Sequence, residues 1–162
     1  MVVAVVVVLG ACTGISIGAV RLVGAVDNAS ADGRDRVRVD DACRALEVRL
    51  NRVAPPGSAP GPRQRAVAIR NENAAVQPFL DELHRVAERD RDLADDRMVT
   101  LWTDLVEARS AYATALDRQA SSGAPAFFVA PLSDRGNPVL DRLEDRHGDC
   151  ASSVRRLGAP DL

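Results

Sequence analysis

Apolar residues dominate the first 26 positions of the chain. No charged residue occurs among the first 20 residues, and beyond Arg21 the apolar run continues to Val26. Twenty helical residues span about 30 Å, which is the thickness of the hydrocarbon core of a bilayer. The pattern predicts a transmembrane helix over residues 1–26, in which Arg21 extends its side chain to the headgroups. A polar linker over residues 27–34 follows.

Two other interpretations of this apolar segment stay open. Leu9-Gly10-Ala11-Cys12 is similar to a lipobox, in which Cys12 would be acylated, but the chain stays apolar for eight residues beyond it. A cleaved secretory signal has a basic region before a short apolar core, whereas no basic residue precedes this long one. The uncleaved anchor is therefore favoured over a lipoprotein and over a cleaved signal.

Three glycines repeat every four residues within the predicted anchor: Gly10, Gly14 and Gly18. This spacing places them on one ridge of the helix, where a second membrane helix can approach closely. The ridge predicts a homo-oligomer or a membrane-protein partner within the bilayer. Because glycine is frequent in membrane helices, a chance repeat is the alternative.

Beyond the linker, apolar residues recur at three- and four-residue steps, which is typical of amphipathic helices. The first helix is predicted over residues 35–53 and ends at a Pro- and Gly-rich loop over residues 55–62. The second is predicted over residues 63–89, with a kink or break at Pro78. The inward positions of these two helices are Val39, Cys43, Leu46, Leu50 and Val53, then Ile69, Val76, Leu80, Leu83 and Ala87.

The third helix has the clearest boundaries. Asp92 is a suitable N-cap, and Gly123 supplies the stop. Trp102 is interpreted as a core residue of its apolar stripe, with a ligand contact as the alternative. A short fourth helix is predicted between Asn137-Pro138, an N-cap with proline at the first helical position, and Gly148. The stripe of the third helix comprises Met98, Leu101, Trp102, Leu105, Ala108, Tyr112, Ala115 and Leu116.

A short apolar run, Ala126-Phe127-Phe128-Val129-Ala130, lies between Pro125 and Pro131. It is too short for a helix, so we expect an extended segment that covers the bundle. The alternative is a strand that binds a partner.

Together these patterns predict an all-α protein: a transmembrane helix followed by a bundle of three to four helices over residues 35–157, with a short tail over residues 158–162. Cys43 and Cys150 are the two cysteines outside the anchor, and in an exported domain they are expected to form a disulfide. Two buried thiols are the alternative. A bridge closing about 100 residues contributes up to about 4.7 kcal/mol of stability in the chain-entropy model.

The charges that flank the predicted anchor conflict with a location of the helical domain outside the cytoplasm. Arg21, Arg34, Arg36 and Arg38 all follow the apolar core, so the positive-inside rule places the helical domain in the cytoplasm. Long domains translocate largely regardless of this rule, and a start codon further upstream would add a basic leader. Because the cysteine pair indicates an exported domain, we expect a single-pass protein of the cell membrane with its C-terminal domain outside the cytoplasm.

The overall charge gives no reason to expect a nucleic-acid partner. The chain of 162 residues has 21 basic residues, all of them arginine, and 23 acidic ones, for a formal net charge of -2. Such a balance creates no global field that attracts nucleic acid. Because only 3% of the residues are aromatic, the core is expected to consist of Leu, Val and Ala.

Candidate catalytic and metal-binding residues are few. Two acid-x-x-His pairs resemble half of a di-iron bundle site, in which an acid and a histidine share one helix face. The chain has only two histidines and no Gly-x-Ser-x-Gly nucleophile motif. We therefore expect no metal, no cofactor and no enzymatic activity, with a metal-binding bundle as the remote alternative. The residues concerned are Asp81 with His84 and Glu144 with His147, and Glu47 and Glu107 as further ligands.

The second predicted helix contains an unusual polar run, Arg70-Asn71-Glu72-Asn73. Asn73 falls near the apolar stripe of that helix. The run is interpreted as a buried hydrogen-bonding device that fixes the helix register, or alternatively as an exposed recognition patch.

Several stretches together resemble a group of uncharacterised, membrane-anchored actinobacterial proteins. They are Cys43-Arg44-Ala45-Leu46, the run from Ala68 to Leu83, the helix with Trp102, Phe127-Phe128-Val129 and the late Cys150. The resemblance implies a Gram-positive envelope location and one helical ectodomain, and it carries no activity. The expected function is a non-catalytic envelope interaction or accessory module. The alternative is a lipoprotein, acylated at Cys12, that binds an extracellular ligand.

Overall fold

The computed structural model describes residues 34, 36–89, 96–146 and 148–161. The predicted anchor, with Cys12 and the glycine ridge of Gly10, Gly14 and Gly18, lies outside these residues. Among the helices that are described, none combines the length and the apolar character needed to cross a membrane. Val37–Leu162 form one compact unit.

The described residues form five α-helices and no strand, which confirms the predicted all-α class. Short 3-10 turns precede the second and fifth helices. The bounds are α1, residues 36–50; the first 3-10 turn, Pro56–Ser58; α2, Pro62–Arg89; α3, Asp96–Ser122; α4, Val139–Arg146; the second 3-10 turn, Gly148–Cys150; and α5, Ala151–Gly158.

Helix α1 buries the predicted apolar face but ends at residue 50, three residues earlier than expected. Its last turn tightens, because the N–H groups of Arg52 and Val53 donate to carbonyls three residues back, at 3.1 Å each. Such hydrogen bonds to the third residue back are common in the last turn of a helix, and Pro55 disfavours helical geometry at Ala54. Val53 is consequently half-buried outside the helix.

Helix α2 runs through Pro78 without the predicted break. A proline removes the hydrogen bond to the carbonyl four residues earlier and crowds the preceding turn. In that turn, Arg49 of α1 donates its Nε–H to the carbonyl of Ala75 at 3.0 Å. Pro78 itself is exposed, so its ring does not disturb the core. The carbonyl that loses its donor belongs to Ala74, an exposed residue, so the loss is not buried, and the packing of α2 against α3 keeps the helix continuous.

Helix α3 ends as predicted at Gly123, which has a φ of +76° and donates its N–H to the Gln119 carbonyl at 2.9 Å. This left-handed conformation is the common helix stop that glycine adopts without strain. The predicted N-cap, Asp92, lies outside the described residues. Trp102 is fully buried and meets Phe79 edge to face at 4.7 Å, so its assignment to the core is confirmed.

The disulfide between Cys43 and Cys150 is present, with Cα atoms 5.0 Å apart and both residues fully buried. It joins α1 to the start of α5, a helix that the sequence pattern does not predict. Helix α4 begins at Val139, one residue later than predicted, because Pro138 pairs with Leu132 in an isolated antiparallel bridge. The C-terminal part of the chain is therefore fixed to the first helix of the bundle by a covalent bond.

Candidate functional site

Glu72 places a carboxylate in the interior of the bundle. It lies on the buried face of α2, between Ile69 and Val76, and it has no exposed surface. Arg109 of α3 is equally buried, and its Nη2 donates to Glu72 Oε2 at 2.5 Å. A fully buried charge requires such a partner, because its transfer from water is otherwise strongly unfavourable.

A second guanidinium completes the contacts of this carboxylate. Arg156 of α5 donates its Nε–H to Glu72 Oε1 at 2.8 Å, and 23% of its side chain is exposed. Each carboxylate oxygen of Glu72 thus accepts a hydrogen bond from a different arginine. We call Glu72, Arg109 and Arg156 the Arg–Glu–Arg cluster.

The other two nitrogens of the Arg109 guanidinium also donate hydrogen bonds. Its Nε–H is 2.8 Å from Asn73 Oδ1, and its Nη1 donates to the carbonyl of Leu157. That carbonyl lies in the last turn of α5, where backbone acceptors have no partner within the helix. Arg109 therefore caps the C-terminus of α5 and places a positive charge at the negative end of its dipole.

Arg156 extends the network to the end of α1. Its Nη2 donates to the Val53 carbonyl at 2.9 Å, and its Nη1 lies 3.3 Å from Asn51 Oδ1. The Arg–Glu–Arg cluster consequently connects α2, α3, α5 and the segment after α1. Burial lowers the pKa of Arg109, while the charge and hydrogen bond of Glu72 oppose that effect. The guanidinium keeps its proton, because an arginine pKa lies far above neutrality.

Helix geometry divides the polar run Arg70-Asn71-Glu72-Asn73 between two environments. Glu72 is buried and Asn73 is half-buried, and the Asn73 amide also donates to Ser110 Oγ at 3.1 Å. Arg70 and Asn71 are exposed, and Arg70 pairs with Asp117 of α3. The four residues do not form one exposed recognition patch, because Glu72 has no exposed surface. The geometry of Glu72 and Asn73 is that of a buried hydrogen-bonding device.

Sequence reasoning did not identify Arg109 and Arg156. The signal for Arg109 is its position within the apolar stripe of α3, four residues after Leu105 and three before Tyr112. A charged residue on a buried helix face indicates a buried partner. No comparable local signal marks Arg156, because its contact with Glu72 joins positions 84 residues apart.

The residues predicted as a tail also contact the bundle. Tyr112 donates its hydroxyl hydrogen to Asp161, and Arg65 Nη1 lies 3.4 Å from the same carboxylate oxygen. Burial raises the pKa of Tyr112 above its ordinary value, and the hydrogen bond to Asp161 raises it further. Pro160 is buried beside them. The described part of the tail is therefore held by polar and apolar contacts.

The apolar run after Gly123 is extended and covers the bundle with only one of its two faces. Phe128 meets Tyr112 edge to face at 5.8 Å, and Ala126 packs on the same small cluster. Phe127 and Val129 are 74% and 75% exposed. Within the described part of the chain, no hydrogen bond involves the backbone of residues 126–130. This surface combines exposed apolar side chains with unpaired backbone groups.

The acid-x-x-His pairs do not converge on a metal centre in the part of the chain that the structure describes. There, no group of three or more potential ligands lies close enough to hold a metal ion. His84 Nδ1 is 2.8 Å from the Leu80 carbonyl of its own helix, and Asp81 accepts a hydrogen bond from Gln77 at 3.3 Å. His147, the predicted partner of Glu144, lies outside the described residues.

Comparison with known proteins gives no relative from which a function transfers to this chain. No protein-family model matches it, and neither does any curated protein or solved structure. The resemblance to membrane-anchored actinobacterial proteins stays a prediction.

Proposed function

We propose that the chain is a single-pass membrane protein whose helical domain lies outside the cytoplasm and serves as a non-catalytic interaction module of the cell envelope. The observation that carries this proposal is the exposed extended segment over residues 124–132. Large exposed apolar side chains that lie together mark sites of protein interaction. In this segment they are Phe127, Val129 and Leu132, which are 63–75% exposed.

The disulfide supports the extracytoplasmic location. Disulfides form and persist in oxidising environments and are rare in the cytoplasm. Cys43 and Cys150 are bonded and completely shielded from solvent. Together with the apolar stretch at the N-terminus, the bond favours a domain that is held at the outer face of the membrane.

The chemistry of the segment specifies the kind of partner. Side chains of residues 126–129 alternate between the bundle and solvent, as in a strand, and the backbone of residues 126–130 has no hydrogen bond to the described residues. Residues 123–132 carry no charge. These properties suit strand addition, in which an extended, uncharged segment of a partner protein pairs with the backbone. Pro125 and Pro131 lack N–H donors and limit the pairing to the residues between them.

The bundle provides a rigid base for this segment. Phe128 packs against Tyr112, which lies one helical turn after Arg109 on α3. Arg109 is in turn fixed by the Arg–Glu–Arg cluster. A binding segment that is held in its bound conformation loses less entropy on association. The buried charges thus contribute to binding through the positions of α3 and the segment.

The location is tested with a single exposed reporter cysteine. Val48 is 51% exposed on α1, so V48C presents a thiol to solvent while the native bridge stays protected. We expect a membrane-impermeant maleimide to label V48C in intact cells and to leave the unsubstituted protein unlabelled. Labelling that requires permeabilised membranes places the domain in the cytoplasm and refutes this part of the proposal.

The interaction is tested by photo-crosslinking from the full-length chain in its native membrane. A photoreactive amino acid replaces Val129, and a matched control carries it at Val67, an exposed valine of α2. We expect a discrete heterologous adduct from position 129 that is lost when Phe127 is changed to Ser. Equal adducts from both positions, or an adduct that persists with F127S, contradict a binding role of the segment.

A further inference from the structure

A cavity of about 100 Å³ lies between the first turns of α3, the loop before α4 and α4 itself. Charged side chains of both signs line it. Its guanidinium groups belong to Arg97, Arg135 and Arg142, and its carboxylates to Asp104 and Asp134. This cavity is separate from the Arg–Glu–Arg cluster and from the exposed face of the extended segment.

The fold positions these groups through one helix face and one tight turn. Arg97 and Asp104 are seven residues apart on α3, which places them on the same face. The turn is closed by the N–H of Gly136, which donates to the Ser133 carbonyl at 2.7 Å, and Gly136 has a φ of +74°. Asp134 and Arg135 occupy the centre of this turn. Their location is therefore set by backbone hydrogen bonds.

The three arginines of the cavity differ from several others on the surface. Arg70, Arg85 and Arg155 pair with carboxylates. By contrast, no ion pair or hydrogen bond connects Arg97, Arg135 or Arg142 to another described residue. Guanidinium groups that surround one cavity suit a carboxylate or phosphate, which accepts paired hydrogen bonds from them.

The two carboxylates of the cavity favour a positive group. Burial raises the pKa of Asp104 above its ordinary value, and the negative charges of Glu107 and Asp134 raise it further. Ser133 Oγ is buried and has no hydrogen-bond partner among the described residues. An ammonium group would neutralise the repulsion between Asp104 and Asp134 and would provide donors for these oxygens.

We propose that this cavity binds a small zwitterion whose ammonium group lies a few bonds from a carboxylate or phosphate. The arginines bind its anionic group, and Asp104 and Asp134 bind its ammonium group. At about 10–15 Å³ for each water-sized group, the volume admits a ligand of up to about ten non-hydrogen atoms. A free amino acid and the phosphoethanolamine headgroup of a lipid share this chemistry.

The proposal is tested by calorimetric titration of the full-length protein in detergent with L-alanine and with phosphoethanolamine. Acetate, inorganic phosphate and ethanolamine are the matched probes that carry one charge type only. We expect at least one zwitterion to bind no less than tenfold more tightly than each matched probe. If L-alanine alone binds, the source is a free amino acid. If phosphoethanolamine binds and phosphatidylethanolamine in mixed detergent micelles competes for the site, the source is a lipid. Absence of zwitterion binding at about 10 mM, tenfold above a Kd of 1 mM, overturns the proposal.

Two substitutions examine the assigned roles. D104N removes the negative charge that faces the ammonium group of the ligand. R135Q removes a positive charge that faces its anionic group. If R135Q disturbs the turn, R142Q replaces it. Each is expected to weaken zwitterion binding at least tenfold. The controls are D141N and R118Q, which change exposed residues outside the cavity. Unchanged binding by folded D104N and R135Q refutes the assignment of this cavity.

Discussion

The guanidinium of Arg109 lies 2.5 Å from the carboxylate of Glu72, and neither side chain has any exposed surface. The same guanidinium donates to the Leu157 carbonyl of α5. One arginine therefore connects a buried acid on α2 with the end of a helix that lies much later in the chain. This contact combines the neutralisation of a charge with the positioning of the C-terminal segment.

We expect R109M to destabilise the bundle by about 3–5 kcal/mol, because it leaves a buried carboxylate with one partner in place of two. The reduced free energy of unfolding is measured by urea denaturation. R70M is the matched control, since it removes an exposed pair with Asp117 and is expected to cost less than about 1 kcal/mol.

The combined change E72L, R109M and R156M provides a second measurement. Removal of all three charges leaves no unpaired ion, so we expect this variant to be more stable than R109M alone. Equal losses for R109M and R70M are incompatible with a buried cluster. A triple variant that is less stable than R109M shows that hydrogen bonds such as Arg156 to the Val53 carbonyl outweigh the charge effect.

The sequence pattern predicts the long helices because their apolar stripes are long and regular. Helix α2 agrees within one residue at its start, and Gly123 ends α3 as expected. The sequence predicts a kink or a break at Pro78, and the break is wrong, because α2 continues through that residue. Helix α5 was not predicted because it has only eight residues and, unlike α4 of the same length, no asparagine and proline start signal before it.

Polar contacts are less predictable than the helices that carry them. Glu72 and Asn73 are visible as a polar run near an apolar stripe, but Arg156 meets Glu72 only through tertiary packing. Likewise, an extended backbone predicts that Phe127 and Phe128 point to opposite sides. Which of the two faces the bundle depends on the tertiary contact of Phe128 with Tyr112. The disulfide was predictable because the cysteines outside the anchor number only two.

Loss of the disulfide is expected to destabilise the domain by up to about 4.7 kcal/mol, the chain-entropy value for a loop of about 100 residues. The bridge connects residues that are 107 positions apart. C43A/C150A is compared with the native protein by urea denaturation, with and without reductant. Reductant should lower the stability of the native protein and leave the variant unchanged. A variant as stable as the native protein contradicts this role of the bridge.

Phe127 and Phe128 are expected to respond oppositely to substitution although they are neighbours. F128A removes a ring that packs on Tyr112 and should cost about 1–3 kcal/mol. F127A changes a side chain that is 74% exposed and should alter the free energy of unfolding by less than about 0.5 kcal/mol. Partner crosslinking from position 129 should show the reverse order, with the larger loss for F127A. If both substitutions change stability equally, the alternation of the segment is not maintained in solution.

Asp104 is expected to reduce stability at neutral pH. Its folded pKa is raised above the ordinary value of 3.8, first by burial and then by Glu107 and Asp134. The unfolded state therefore releases this proton more readily, and stability decreases as the pH rises from about 3.8 through the folded pKa. D104N removes the effect and should stabilise the protein at pH 7 by less than about 1 kcal/mol, since the side chain is partly exposed and screened.

The advantage of D104N should disappear as the pH falls to about 3, where Asp104 is neutral in both states. Urea denaturation at pH 7 and at pH 3 gives the two differences, with D141N as the exposed control. A zwitterion in the cavity reverses the sign at neutral pH, because the ligand's ammonium group stabilises the charged form of Asp104 and stabilises the native protein by binding to it. Saturating ligand should therefore make the native protein more stable than D104N. If D104N stays the more stable of the two with ligand present, Asp104 does not take part in ligand recognition.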